Sequence, residues 1–182
     1  RALGVGPGDR VAAYLPNVPE AVAAFLACAS LGAIWSSCSP DFGAVGVLDR
    51  FGQIEPRLLI TCDAYYYAGK TIRMADKIGN VLKELKSVIQ AVVIDYTGEA
   101  ESVAAALPGA VSFQAFLAGH DEGPIAFAQM PFDHPLYILY SSGTTGIPKC
   151  IVHRAGGILL KHLSEHVLNT DTKASDRLFY FS

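Results

Sequence analysis

Apolar residues fall along this chain in short unbroken runs, separated by segments with a helical spacing. The runs are Arg10-Val11-Ala12-Ala13-Tyr14-Leu15, Ala33 to Ser37, Leu58-Leu59-Ile60-Thr61, Ala91-Val92-Val93-Ile94, Leu136 to Tyr140 and Cys150-Ile151-Val152. None alternates regularly with polar residues, so each reads as a strand covered on both faces. Between them, Asn17-Val18-Pro19-Glu20 opens a helix, with Pro near its first position and an acid in its first turn; it runs to Leu31 and stops at Gly32. A second helix is expected from Asp41 or Phe42 to about Ile54, before Pro56. Apolar positions at Ile72, Ala75, Ile78, Val81, Leu82 and Leu85 predict a third over 72–85. Weaker helices are expected over Glu99–Leu107 and Phe113–Leu117, a longer one from Gly157 to about Asn169, and a last strand over Arg177–Phe181. Gly119 to Asp133, with Gly, Pro and acidic residues, reads as a loop. Strands alternating with helices make an α/β protein of layered sheets, with helices on both faces.

Composition narrows the function classes. Hydrophobic residues make up 51% and charged residues 17%, which is the balance of a buried sheet and excludes a disordered chain. The net charge is −3 and no basic stripe appears, so nucleic acid is not expected as a partner. Ala21 to Pro40 carries no charge and is long enough to cross a bilayer. Ser30, Gly32, Ser36, Ser37, Ser39 and Pro40 interrupt it, however, and a helix followed by a buried strand accounts for it without a membrane span. Cys28, Cys38, Cys62 and Cys150 show no C-x-x-C spacing and read as small buried or half-buried thiols in a reducing, cytoplasmic setting. The chain starts at Arg1 and stops inside an apolar run at Ser182, so it reads as a piece of a longer protein.

The chemistry concentrates in Tyr140-Ser141-Ser142-Gly143-Thr144-Thr145-Gly146-Ile147-Pro148-Lys149. Four side-chain hydroxyls from Ser141 to Thr145, two glycines and a lysine between two apolar runs suit a polyphosphate. Hydroxyls and free backbone N–H groups donate to phosphate oxygens, and the lysine adds a point charge. The segment is not the nucleoside-triphosphatase loop G-x-x-x-x-G-K-[ST]: Ile147 and Pro148 separate Gly146 from Lys149, and Cys150 stands where the magnesium-binding hydroxyl belongs.

Ser-Ser-Gly-Thr-Thr-Gly-x-Pro-Lys resembles the signature loop of the AMP-forming acyl-CoA synthetases, members of the adenylate-forming superfamily. The flanking residues Leu136 to His153, with Ala155-Gly156-Gly157, and the segment Gly32 to Gly43 are similar to those of the acetoacetyl-CoA synthetases within it. The resemblance spans the chain and implies part of an amino-terminal domain, residues 1–182, truncated at both ends and without its carboxyl-terminal domain. It implies acetoacetate, ATP with Mg2+, and coenzyme A as substrates. Acetate, propionate or butyrate would use the same loop. It further implies that Ser141, Ser142, Gly143, Thr144, Thr145, Gly146 and Lys149 hold the ATP phosphates, with Lys149 catalytic.

Three further features carry expectations. Tyr67-Ala68-Gly69-Lys70-Thr71-Ile72 lies between a strand end and an expected helix start, where a helix amino terminus meets an anion; it resembles the loop of acetyl-CoA synthetases that touches coenzyme A, implicating Gly69 and Lys70. His162-Leu163-Ser164-Glu165-His166 matches H-x-x-E-H and sets two histidines one turn apart, a zinc alternative of a different class. His153 either approaches a substrate pocket or packs at a strand end. A nucleotide-binding relative without turnover is the remaining alternative.

Overall fold

The computed structural model describes residues 1–120, 123–141 and 146–179. The run Arg10–Tyr14 forms the central strand β1. Helix α1, Pro19–Leu31, begins with Pro19 in its first turn and ends at Gly32, which takes φ 72° and donates its N–H to the last carbonyls, Ala29 and Cys28. A Cβ at Gly32 would sit 2.9 Å from Met130 Sδ, which a flexible methionine can relieve, so it is the backbone angle that calls for glycine at this stop.

Next come β2 (Ile34–Cys38), α2 (Ala44–Phe51), β3 (Leu58–Cys62), β4 (Ala64–Tyr67), β5 (Lys70–Arg73), α3 (Ala75–Glu84), β6 (Gln90–Ile94) and α4 (Ala100–Ala106). They are followed by β7 (Ala110–Ser112), α5 (Phe113–Leu117), β8 (Pro135–Ser141), β9 (Lys149–Arg154) and α6 (Ala155–Leu163), which continues as a π-helix over Ser164–Asn169. The main sheet has the order β7-β6-β3-β1-β2-β8-β9, parallel throughout except for β9, which runs antiparallel to β8 at the edge.

This order dictates which face each helix covers. Crossovers between parallel strands are right-handed, so opposite steps along the sheet put helices on opposite faces. The β1-to-β2 step runs one way, and α1 covers that face. The steps to β3, β6 and β7 run the other way, and α2, α3 and α4 cover the second face. α5, which precedes the return to β8, shares the face of α1 over Val11, Leu58, Ile60 and Val92, around an apolar cavity of about 700 Å³. The expectation of helices on both faces of a mainly parallel sheet is met.

Several expected boundaries are corrected. The third helix starts at Ala75, not at Ile72, because Ile72 belongs to the β4–β5 hairpin. The second helix starts at Ala44, since Ser39-Pro40-Asp41-Phe42 makes a turn in which Phe42 N–H donates to the Ser39 carbonyl. Arg177 to Phe179 forms no strand, and the end of that expected run lies outside the described residues. No helix among the described residues is long and apolar enough to cross a membrane: Ala21–Pro40 divides into α1 and β2 as its small residues suggested.

Candidate functional site

The phosphate-loop sequence is the connection of the β8–β9 hairpin. Ser141 and Lys149 are its closing pair, followed inward by Tyr140 with Cys150 and Leu139 with Ile151. Of the predicted loop residues, Ser142, Gly143, Thr144 and Thr145 lie outside the described residues. Gly146 has φ 130°, open only to glycine without strain. Lys149 is exposed at the first position of β9.

Strand alternation sorts the neighbours. Tyr140 and Cys150 face α2. The Tyr140 ring lies 6.5 Å from Phe51, and its hydroxyl is hydrogen-bonded to Ser36 Oγ at 3.0 Å, while Ser36 Oγ donates its one proton to the Ile138 carbonyl at 2.9 Å. Burial pushes the Tyr140 hydroxyl well above the ordinary tyrosine range, so it stays protonated. The Arg50 guanidinium, 4.2 Å over the Phe42 ring and 5.8 Å over Tyr140, closes this side.

Tyr137 and His153 occupy the opposite face with rings 5.0 Å apart; Tyr137 also meets Phe25 of α1 edge-on at 6.1 Å, and Phe25 meets Trp35 at 6.1 Å. His153 is therefore part of the aromatic packing of the sheet and lies within β9, not after it. Ser141 and Lys149 project on this same α1 side by alternation from Tyr137 and His153.

The exit of the loop is held by a residue the sequence reading did not single out. Gln53, just after α2, donates from Nε2 to the Pro148 carbonyl at 2.8 Å and to the Asp49 carbonyl at 2.6 Å. Its Oε1 lies 3.5 Å from the Cys150 thiol. A polar residue two positions after an amphipathic helix is unremarkable in sequence, so only the fold reveals this contact.

A crevice of about 750 Å³ opens at the carboxyl ends of β1 and β2, walled by Asn17, Asp41, Trp35 and the tyrosines Tyr65, Tyr66 and Tyr67. The chain leaves β1 toward one face and β2 and β3 toward the other, so this is the switch point where α/β sheets bind ligands. The β4–β5 hairpin forms one wall. Gly69 and Lys70 are thus in and beside a two-residue hairpin turn, not at a helix amino terminus, because Tyr67 pairs with Lys70 across Ala68 and Gly69. Both turn residues have positive φ, 48° and 75°, the pattern that matches strand twist in a tight hairpin. Tyr65 is pushed up to about 12, by burial first and then by its hydrogen bond to Asp41.

Asp63 fixes that wall. It is fully buried, and its carboxylate accepts from the backbone N–H groups of Ala64, Tyr96, Thr97 and Glu99 and from the Thr97 hydroxyl, at 2.7–3.0 Å. Its carbonyl takes the Met74 N–H at 2.9 Å, closing the base of the hairpin. A lone acid after the apolar run Leu58–Cys62 was the available signal in the sequence.

The zinc alternative gains no support. His162 and His166 have ring centroids 6.2 Å apart, but Glu165 is engaged by Lys161 and by Asn169. Among the described residues no three His, Cys, Asp or Glu side chains gather as a metal site.

Comparison with known proteins follows the same residues. The family model of the AMP-binding enzymes matches residues 1–182. The acetoacetyl-coenzyme A synthetase of Rhizobium meliloti (strain 1021) is 54% identical over 182 residues, covering 100% of this chain and 28% of that protein. The acetoacetyl-CoA synthetase of Mus musculus is 48% identical over 186 residues, with 100% and 28% covered. A malonamoyl-CoA synthetase of Penicillium aethiopicum is 44% identical over 185 residues, with 99% and 26% covered. The solved structure of an acetoacetyl-CoA synthetase from Streptomyces lividans superposes with a TM-score of 0.91 at 46% identity, covering 100% of this chain and 27% of that one. The chain thus spans little more than a quarter of the length of these relatives.

Proposed function

Because the chain belongs to the family of AMP-binding enzymes, matched from residue 1 to residue 182, we propose that it carries the phosphate-handling part of an acetoacetate–CoA ligase. In the first half-reaction a carboxylate oxygen of acetoacetate attacks the α-phosphorus of ATP. The bond from that phosphorus to the bridging oxygen breaks, and pyrophosphate leaves with the electron pair. In the second, the thiol of coenzyme A loses its proton and attacks the acyl carbon, and AMP leaves.

The observation that carries this reading is the loop of hydroxyls and glycines closed by the Ser141–Lys149 pair. Charge grows on the departing pyrophosphate as the first bond breaks, and donors aimed there lower the barrier. Ser141, Ser142, Thr144 and Thr145 supply hydroxyls, Gly143 and Gly146 supply close backbone approach, and Lys149 supplies charge at the strand edge. Magnesium would come with ATP as part of the substrate and would neutralise charge on its phosphate oxygens.

The reading extends to coenzyme A at the crevice. Its supports are the 750 Å³ volume, the tyrosine wall and the exposed Lys70 at the hairpin. Acetoacetate as the acid is supported by the names of the relatives. The malonamoyl-CoA synthetase relative is 44% identical over 185 residues and is named for a different acid, so likeness over this segment does not by itself select the acid. A cytosolic setting is supported by four free thiols, three of which burial pushes up to about 12.

The test is acid-dependent pyrophosphate release by the full-length protein, with ATP and magnesium and with acetoacetate, acetate, propionate, butyrate and a medium-chain acid in parallel. Release with acetoacetate, completed to a thioester by coenzyme A, is the expected result. Release with another acid alone overturns the substrate. ATP binding without release for any acid favours a nucleotide-binding relative.

A further inference from the structure

On the ligase reading the loop needs its lysine held at a fixed place, and among the described residues the β8–β9 hairpin is the outermost pair of the sheet. Its entry limb is anchored by β8, which pairs with β2 through Trp35 with Tyr137 and Ser36 with Ile138. Its exit limb, Gly146-Ile147-Pro148, has no strand partner until Lys149 meets Ser141. Pro148 has no N–H of its own, so its carbonyl is the polar backbone group through which this residue can be tied down.

Gln53 makes that tie. One carboxamide reaches the residue before Lys149 through the Pro148 carbonyl at 2.8 Å, and the residue after it through the Cys150 sulfur at 3.5 Å. Its donor group also takes the Asp49 carbonyl at 2.6 Å, in the last turn of α2. The helix itself is seated by buried Val47 and Phe51. Lys149 is therefore bracketed on both sides by a side chain fixed to a packed helix. Burial raises the Cys150 thiol, which stays protonated and can donate to Gln53 Oε1.

We propose that Gln53 is a positioning residue for ATP: it sets the exit limb of the phosphate loop and with it the place of Lys149. This rests on the ligase reading above. Gln53 touches no reacting atom, so its effect belongs to the ATP-dependent half-reaction and not to thioester formation.

The experiment uses the full-length protein carrying Gln53→Ala or Gln53→Glu. The second keeps side-chain length and an acceptor for Cys150 but loses both N–H donors. Five quantities are read: the Kd for magnesium–ATP by calorimetry, KM and kcat for pyrophosphate release, the rate of thioester formation from the preformed acyl adenylate, and Tm. Both variants are expected to weaken ATP in Kd and KM by about 3–10-fold, the effect of one lost hydrogen bond, with the adenylate-to-thioester step within about twofold of wild type. Unchanged ATP parameters, or equal losses in both half-reactions, overturn the proposal. If the alanine variant does not fold, Gln53→Glu and Gln53→Met carry the same test. A wild-type protein that binds ATP but turns over no acid overturns the ligase reading alone, and the Kd still decides the role of Gln53. A wild-type protein that binds no ATP overturns both.

Discussion

Ser141 and Lys149 face each other as the last pair of an antiparallel ladder, so the two ends of the phosphate loop are held at one strand spacing. This pairing gives Lys149 a defined origin although its side chain is exposed. Lys149→Ala in the full-length protein is expected to lower the kcat of acid-dependent pyrophosphate release by about a hundredfold, the usual loss when one donor to developing charge is removed. Thioester formation from preformed adenylate should fall far less. Steady-state kinetics of the two half-reactions checks this, and equal rates for the variant and wild type in the first would refute the role.

Lys70 is exposed and pairs with Tyr67 in the hairpin whose first strand lines the crevice. Lys70→Ala is expected to raise KM for coenzyme A about tenfold through loss of a charge-assisted contact, while pyrophosphate release measured without coenzyme A is unchanged. An unchanged KM for coenzyme A would remove Lys70 from the site.

Asp63 links stability to pH. Burial alone would raise its carboxyl, but the N–H groups of Glu99, Tyr96 and Thr97 and the Thr97 hydroxyl outweigh it and hold the group below its ordinary 3.8. A depressed folded value gives stability that is present above the unfolded value and lost as pH falls through the folded one. Asp63→Ala leaves several buried N–H groups without this partner and should cost at least about 3 kcal/mol. Asp63→Asn should cost less and should flatten the stability profile below about pH 4. Denaturant unfolding at a series of pH values tests both.

Ala68 has φ 48°, a left-handed conformation that costs a non-glycine residue about 1 kcal/mol. Asparagine tolerates that region and is favoured before glycine in a two-residue hairpin. Ala68→Asn is expected to raise stability by about 0.5–1 kcal/mol and to raise Tm; a fall in Tm would show that the alanine methyl is needed for packing.

Much of this architecture was legible because local chemistry and tertiary packing agree. Pro19 and Gly32 bound α1 where their backbone preferences require, and the five-residue runs of β1, β3 and β6 are buried on both faces in the order that alternation with helices implies. The hairpin was missed because Ile72 falls in helical register with Ala75 and Ile78 by coincidence; the Ala68-Gly69 pair between two β-prone tetrapeptides was the better signal. β7 is three residues long, too short for periodicity, and forms by pairing with β6. The proposed phosphate loop stands out in the sequence because its hydroxyl and glycine content is local. Gln53 and Asp63 do not, because their partners lie 95 and 33–36 residues away.

The parallel direction of β8 also sets a length. Since β3, β1, β2 and β8 are consecutive neighbours running the same way, the hairpin after β3 and the phosphate loop after β8 open on one edge of the sheet, three strand spacings apart, or about 14 Å. The sheet thus fixes a span between the base of the hairpin and Ser141. On the proposed ligase reading, a cosubstrate held over the hairpin would need an arm long enough to cross it, and a short thiol would gain nothing from that hold however nucleophilic it is.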